Sequence, residues 1–122
     1  MKTILIVDDS PSILMSMAFI LASTAEYATV QARNGVEALA LLRGAQKVDA
    51  MITDLNMPQM DGITLIRQAR QLSSCRFIPF LVLTTESQPA IKAEAKAAGA
   101  TGWLVKPVKA PDLLGVLRKM LA

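Results

Sequence analysis

Five residues whose side chains can carry out chemistry stand at or beside the ends of short apolar runs: Asp8, Asp9, Asp54, Thr84 and Lys106. Three carboxylates that lie close together repel one another unless a cation binds between them. Mg²⁺ suits such a group, because it prefers oxygen ligands, usually one or two carboxylates with phosphate oxygens and water. A carboxylate can also attack phosphorus, while an ammonium group neutralises charge on the transferred group. The residue types therefore predict a magnesium site suited to phosphoryl transfer, provided that the fold brings them together.

The apolar runs alternate with amphipathic segments over the whole chain. The runs predict five strands, at residues 3–7, 28–32, 49–54, 78–84 and 102–106. The segments between them predict five helices, one after Ser10–Pro11, one capped by Asn34 with Glu37, and three at residues 62–72, 87–98 and 110–121.

Strands that alternate with helices predict an α/β fold, with a doubly wound five-stranded parallel sheet and right-handed crossovers. We expect residues 1–122 to form a single domain, because no linker, repeat or low-complexity tract interrupts the pattern. In such sheets, sites form outside the carboxyl ends of the strands, where the strand order reverses. The three aspartates, Thr84 and Lys106 are therefore expected to meet at one edge of the sheet.

Composition limits the class of protein. Apolar residues make up 52% of the chain and charged residues 19%, which favours strands buried on both faces and excludes disorder. Three methionines that fit apolar stripes, Met15, Met17 and Met51, are predicted to lie in that core. No apolar run reaches the ~18 residues of a membrane span, and the first run is too short for a signal peptide. With a single cysteine, Cys75, and no internal disulfide, we expect a cytoplasmic protein.

The net charge of +3 conceals a more basic exterior. With the three clustered aspartates set aside, 7 of the 10 acidic residues remain against 13 basic ones. Such a surface keeps the protein soluble or, alternatively, prefers acidic partners. No basic run with interleaved aromatic residues indicates nucleic acid binding. The chain has no histidine, which excludes a histidine kinase core, a histidine phosphotransfer module and catalysis by a histidine base.

The motifs around these residues resemble those of a known family. The chain from ILIVDDS to LRKML, with TDLNMPQMDG around Asp54, is similar to the receiver domains of two-component response regulators. The segments TTESQ and AGATGWLVKP are most similar to the stand-alone chemotaxis regulators of the CheY type. The resemblance implies a flavodoxin-like fold with the strand order 2-1-3-4-5.

The resemblance also implies roles at the metal site. Asp8 and Asp9 match the acidic pair that holds Mg²⁺, with Asp9 as the direct ligand. Asp54 matches the phosphoacceptor and a further metal ligand. Asn56 matches the residue whose backbone carbonyl binds Mg²⁺ and whose side chain tunes the lifetime of the phosphoryl group.

Five more residues match positions that bind phosphate or respond to it. Thr84 and Lys106 match the hydroxyl and the lysine that bind the phosphoryl group, and Pro107 matches a proline after a cis peptide bond. Glu86 matches a second position that tunes the lifetime. Trp103 stands at the position of the switch aromatic or, alternatively, is a half-buried packing residue of an edge strand. We expect Thr84 and Trp103 at the ends of neighbouring strands. Pro58 and Gly62 are interpreted as residues that shape the loop after Asp54.

Together these features predict a signalling module that is not an enzyme. We expect a histidine kinase, most similar to the chemotaxis type, to phosphorylate Asp54 of a monomer. The face formed by helix 4, strand 5 and helix 5 is then expected to change its affinity for a protein target, such as the flagellar-motor switch. Because no effector segment follows Leu121, the output would be the surface of the chain itself. A phosphorelay intermediate and a receiver excised from a longer regulator remain alternatives.

Two other classes fit less well. An aspartate-nucleophile phosphatase of the haloacid dehalogenase kind would carry Asp-x-Asp after the first strand and a cap domain, whereas this chain has adjacent Asp8 and Asp9. A scaffold that works without phosphate would have lost the acids or the lysine, and all are present here.

Overall fold

Strands and helices alternate along residues 1–122, all of which the computed structural model describes. The strands are β1 (Lys2–Val7), β2 (Tyr27–Ala32), β3 (Ala50–Thr53), β4 (Phe80–Thr84) and β5 (Gly102–Val105). The helices are α1 (Pro11–Ala22), α2 (Gly35–Arg43), α3 (Gly62–Ala69), α4 (Pro89–Ala98) and α5 (Ala110–Met120), and a 3₁₀ turn at Ser73–Cys75 precedes β4. The predicted number and order of elements are confirmed.

The sheet is parallel throughout and has the order β2-β1-β3-β4-β5. The chain leaves β1 toward β2 on one side and returns to β3 on the other, so the strand order reverses between β1 and β3. The flavodoxin-like order that the resemblance implies is confirmed. The reversal places a crevice outside the carboxyl ends of β1 and β3, which are the ends that carry Asp8 and Asp54.

Helices cover both faces of the sheet and form two apolar layers. On one face, Leu5, Val7, Met51, Phe80 and Val82 belong to the cluster that packs under α2, α3 and α4. On the other face, strand residues alternate with these and pack under α1 and α5; they are Ile4, Ile6, Ala50, Ile52, Leu81 and Leu83. Because both faces are buried, the strands are apolar throughout, as the composition predicts.

Polar side chains fix the starts of three helices. Ser10 and Asn34 accept hydrogen bonds from the backbone N–H groups of Ile13 and Glu37, so the predicted caps of α1 and α2 are present. Asp61, which the sequence analysis did not single out, caps α3 by accepting from the N–H of Thr64 at 2.8 Å. This cap fixes the point at which the loop after β3 becomes a helix.

Several boundaries differ from the prediction by one to three residues. The predicted third strand included Asp54 and the predicted fifth strand included Lys106, but β3 ends at Thr53 and β5 at Val105. Both functional residues therefore directly follow the last residue of their strands, and their backbone N–H groups still donate to the neighbouring strands, at Val7 and Thr84. Helix α3 ends at Ala69 rather than residue 72, because the chain turns there into the 3₁₀ segment.

Helix α1 contains no charged residue, yet it lies at the surface. Met17 is buried as predicted, but the prediction that Met15 lies in the core is wrong, because its side chain is 71% exposed. Phe19, one helical turn further on, is 79% exposed. The stripe toward the sheet is formed instead by Leu14, Met17 and Leu21. No helix in the structure has both the length and the apolar character that crossing a membrane requires.

Candidate functional site

The carboxyl edge of the sheet brings the three aspartates together. Asp8 and Asp54 are buried, whereas Asp9 is exposed at the rim. Oxygen atoms of the three carboxylates all lie within 4.8 Å of one another. The convergence follows from the parallel pairing of β1 with β3, which places Val7 opposite Thr53 and so the next residues side by side.

Lys106 reaches into this acidic group from the end of β5. Its Nζ donates to Oδ2 of Asp8 at 2.7 Å and to Oδ2 of Asp54 at 3.0 Å. Burial lowers the pKa of Lys106, but the hydrogen bonds and charges of Asp8 and Asp54 outweigh burial, and the net pKa is raised. Its backbone N–H donates to the carbonyl of Thr84, and the Lys106–Pro107 peptide bond is cis, as the resemblance implies. The ammonium is thus charged and held against two of the three acids.

Both buried carboxylates are also held by backbone groups. Asp8 accepts at Oδ1 from the N–H of Ser10 at 2.9 Å. Asp54 accepts at Oδ1 from the N–H of Leu55 at 2.7 Å, while its own N–H donates to the carbonyl of Val7. Each carboxylate therefore has one oxygen fixed by the backbone and the other paired with Lys106. This arrangement orients both groups before any ligand arrives.

The donor set fits a hard divalent cation. Three carboxylates face one ammonium, and Lys106 pairs with Asp8 and Asp54 but not with Asp9. The remaining negative charge lies on the side of the exposed Asp9, where oxygen ligands are accessible to water. Oxygen ligands, excess negative charge and access to water are the conditions under which Mg²⁺ binds.

Asn56 and Glu86, the two predicted lifetime positions, line one groove between α3 and α4. The groove has a volume of about 240 Å³ and leads to the loop after Asp54. Asn56, whose own backbone carbonyl is the implied metal ligand, is exposed in that loop two residues after Asp54. None of the three clustered aspartates lines this groove, so the structure brings these two positions together but not into the acidic cluster.

Thr84 is fully buried at the end of β4, and its Oγ1 accepts from the N–H of Glu86 at 3.2 Å. The expectation that Trp103 ends the neighbouring strand is wrong, because Trp103 is the second residue of β5 and pairs with Val82. Val105 pairs with Thr84 instead. Because side chains alternate along a strand, Thr84 and Trp103 still share one face of the sheet, two residues apart along the strand direction.

Two residues near Asp54 contribute more than the sequence suggested. A Cβ atom on Gly62 would lie 2.1 Å from the carbonyl oxygen of Asp54, so this position must be glycine for α3 to start so close to the site. Thr53, which the sequence analysis did not single out, donates from its buried hydroxyl to the same carbonyl oxygen at 2.8 Å. The only sequence signals for these roles are the positions of the two residues around Asp54.

Comparisons with known proteins agree with this geometry. The family model described as the response regulator receiver domain matches residues 4–118. Protein PilH of Pseudomonas aeruginosa is 34% identical over 122 residues, which cover 100% of this chain and 99% of that protein. The structure of chemotaxis protein CheY4 of Vibrio cholerae superposes with a TM-score of 0.93 and 43% identity over 99% of both chains.

A third relative bears on the metal. The receiver domain of sensor histidine kinase PA1611 from Pseudomonas aeruginosa PAO1 has a magnesium ion coordinated in its active site cleft. It has a TM-score of 0.89 and 26% identity, and the match covers 98% of this chain and 97% of that one. The acidic cluster of this protein is therefore built on the fold of a solved magnesium-binding receiver.

The family is established by the length of the match rather than by one motif. The model spans the chain from β1 to α5, and the strand order is the one that the sequence resemblance implied. The solved relatives share the fold over nearly their whole length. This chain belongs to the response-regulator receiver domain family.

Proposed function

We propose that Asp54 accepts a phosphoryl group from a histidine kinase and that the chain signals by a change of shape. The observation that carries this proposal is the pairing of Lys106 with both Asp8 and Asp54 at the edge of the sheet. A lysine held this way has a fixed positive charge beside the carboxylate that would act as nucleophile. The ammonium of Lys106 would bind oxygen atoms of the incoming phosphoryl group.

The transfer needs little covalent work from the protein. A carboxylate oxygen of Asp54 attacks phosphorus, the bond from phosphorus to the donor breaks, and the donor leaves with the bonding electrons. Lys106 and the hydroxyl of Thr84 then bind oxygens of the transferred group. Because Asp54 is held by Leu55 and Lys106 beforehand, little reorganisation is needed during the reaction.

Asp8, Asp9, Asp54 and the backbone carbonyl of Asn56 would hold Mg²⁺. When bound, the metal neutralises negative charge on the transferred group and on the acids. Asp9 is the direct ligand with the most freedom, because it is exposed and does not pair with Lys106. Glu86 and Asn56 line the groove beside the site, from which water would reach the phosphoryl group, so these positions would set its lifetime.

The signal would leave through the face of α4, β5 and α5. Thr84 turning toward a phosphoryl oxygen would free space on the sheet face that it shares with Trp103. Trp103 lines a surface cavity of about 190 Å³ with Lys92 and Lys96, which favours an acidic protein partner. We propose a chemotaxis kinase as donor and a flagellar-motor switch protein as target, supported by the name of the similar chemotaxis protein CheY4. We also propose that this chain acts in the cytoplasm.

Labelling with acetyl phosphate and Mg²⁺ tests the phosphoacceptor. We expect one base-labile phosphoryl group per chain, no labelling of Asp54→Asn and normal labelling of Asp112→Asn, a control at an exposed aspartate of α5. A chelator should nearly abolish labelling, and Asp9→Asn should have the same effect. Full labelling of Asp54→Asn at the same site, or unchanged labelling without Mg²⁺, would contradict the proposal.

The emission of Trp103, the single tryptophan, tests the output. Beryllofluoride with Mg²⁺ mimics the phosphorylated form, and we expect it to change the emission and the access of quenchers to the indole. Thr84→Ala should blunt the change because the hydroxyl is missing, while Thr84→Ser should retain it. Identical spectra in both states would mean that Trp103 is a static packing residue.

A further inference from the structure

The peptide group between Asp54 and Leu55 is hydrogen-bonded at both ends. At one end, the carbonyl oxygen of Asp54 accepts from the Thr53 hydroxyl at 2.8 Å. At the other end, the N–H of Leu55 donates to Oδ1 of Asp54 at 2.7 Å. Because a peptide group is planar, fixing the carbonyl also fixes the direction of the N–H. The hydroxyl of Thr53 is therefore connected, through one rigid unit, to the carboxylate of Asp54.

Gly62 packs closely against the same peptide group. Its N–H donates to the carbonyl of Leu55 at 2.8 Å, and a Cβ atom at this position would lie 2.1 Å from the Asp54 carbonyl oxygen. Thr53 itself is fully buried. With α3 packed this closely and Thr53 inaccessible to water, the Thr53 hydroxyl is the donor in place to bind the carbonyl oxygen from the sheet side.

Packing alone does not explain a threonine here. Thr53 lies in β3 between Val7 of β1 and Val82 of β4, on the sheet face that carries the apolar cluster under α2, α3 and α4. Valine has nearly the same shape and would avoid burying a hydroxyl. A buried hydroxyl is costly unless it forms a hydrogen bond, and this one forms its bond with the phosphoacceptor's own carbonyl. The hydroxyl therefore indicates a role in the site rather than in the core.

We propose that Thr53 is a positioning residue that orients the carboxylate of Asp54 for phosphoryl acceptance. The proposal rests on the proposed function of Asp54. Without the hydroxyl, the peptide group gains freedom to rotate, the N–H of Leu55 leaves Oδ1, and the carboxylate samples orientations in which it faces Lys106 less directly. Small errors in orientation lower the rate of a step that depends on alignment.

The test compares Thr53→Val, which removes the hydroxyl at similar volume, with Thr53→Ser, which retains it. Thr29→Val in β2 is the matched control, because Thr29 is a partly buried strand residue remote from Asp54. We expect Thr53→Val to slow labelling by acetyl phosphate at saturating Mg²⁺ about fivefold to tenfold, a loss of the size that one hydrogen bond supports. Thr53→Ser should recover most of the rate, and Thr29→Val should leave it unchanged.

Hydrogen exchange at the Leu55 amide, measured without metal or phosphate, is the second readout. We expect faster exchange in Thr53→Val than in the wild type, and near wild-type exchange in Thr53→Ser. If Thr53→Val does not fold, Thr53→Ala provides the same comparison against Thr53→Ser. Exchange at Leu55 does not depend on phosphorylation, so it tests whether Thr53 orients the Asp54–Leu55 peptide group even if Asp54 is not the phosphoacceptor.

The outcomes separate the two proposals. If the wild type fails to accept a phosphoryl group on Asp54, the proposed function is wrong. If the wild type labels and Thr53→Val labels at the same rate, the positioning role is wrong while the proposed function stands. Equal slowing in Thr53→Val and Thr53→Ser, or unchanged exchange at Leu55, would overturn the positioning role as well, since the effect would then come from packing.

Discussion

Two partly buried cations, Lys106 and Arg70, are satisfied in opposite ways. Lys106 faces two carboxylates, Asp8 and Asp54, and no backbone carbonyl accepts from its ammonium. Arg70, at the end of α3, faces backbone carbonyls and no carboxylate. Carboxylate side chains can rotate to bind another partner, whereas backbone carbonyls are held in place by the fold. The Lys106 site can therefore rearrange more readily than the Arg70 site.

Arg70 connects three segments of the chain. Its guanidinium donates to the carbonyls of Cys75 and Ile78, each at 2.7 Å, in the turn before β4. It donates to the carbonyl of Gly99 at 2.7 Å and 3.1 Å, just after α4. It also lies 3.8 Å from the centre of the Phe80 ring. This one side chain therefore ties the end of α3 to both ends of the β4–α4 unit.

The pKa shifts of the two groups express the same difference. Burial lowers the pKa of the Arg70 guanidinium, and no carboxylate opposes the effect. Burial lowers the pKa of Lys106 as well, but the hydrogen bonds and charges of Asp8 and Asp54 reverse the sign. The ion pairs of Lys106 would change when a metal or a phosphoryl group binds. The hydrogen bonds of Arg70 to backbone carbonyls would not, so Arg70 has a structural role in both states.

The largest expected effect is on stability when Arg70 is removed. Arg70→Met leaves the carbonyls of Cys75, Ile78 and Gly99 without their donor, and we expect the free energy of unfolding to fall by about 3 kcal/mol. The loss should be the same with Mg²⁺ and with chelator, because the metal site is not involved. Urea unfolding in both conditions measures it. A loss that depends on Mg²⁺ would mean that the two cation sites are coupled.

A smaller effect that does depend on metal is expected at Lys106. Lys106→Met leaves buried carboxylates unpaired, and because the site is open to water beside Asp9 we expect a loss of about 2 kcal/mol in chelator. Added Mg²⁺ should reduce this difference in unfolding free energy between the wild type and Lys106→Met, because a cation that binds the native state replaces the missing positive charge. Urea unfolding at several Mg²⁺ concentrations checks this. If the difference in unfolding free energy stayed constant with Mg²⁺ concentration, the metal would not compensate for the loss of the Lys106 ammonium.

The smallest effect is expected from the exposed ion pair of Arg118 with Glu26. The two side chains are 54% and 48% exposed and lie 3.2 Å apart. Exposed pairs of this kind contribute little, so Arg118→Met should change the unfolding free energy by less than about 0.5 kcal/mol. It serves as the control for Arg70→Met in the same urea experiments. If Arg118→Met lowered the unfolding free energy as much as Arg70→Met does, the proposed structural role of the Arg70 hydrogen bonds would be contradicted.

The sequence predicted the parts of the fold that depend on residue type. The alternation of apolar runs predicted five strands and five helices, and the parallel sheet then required Asp8, Asp54 and Lys106 to converge. The strand order came from the family resemblance, because crossovers of similar length are compatible with several orders.

The rest depended on backbone groups that residue types do not reveal. Arg70 and Thr53 bind carbonyl oxygens, and any residue supplies a carbonyl, so no spacing in the sequence indicates those bonds. Met15 fits an apolar stripe as well as Met17 does, but the helix buries only the side that faces the sheet. The pairing of Trp103 with Val82 rather than with Thr84 followed from the register of β5 against β4, which the boundaries of the apolar runs do not determine.

The hydrogen bond between Lys106 and Asp8 joins residues 98 positions apart in the chain. Their strands are not neighbours, since β3 and β4 lie between β1 and β5. A contact between residues so far apart has a loop-closure cost, which pairing of the intervening strands lowers by shortening the remaining loop. In a chain that lacks β5, or whose β5 has detached from β4, the aspartates are present but the ammonium of Lys106 is not paired with them. The ion pairs of Lys106 with the aspartates therefore form only when β5 has been added to the sheet.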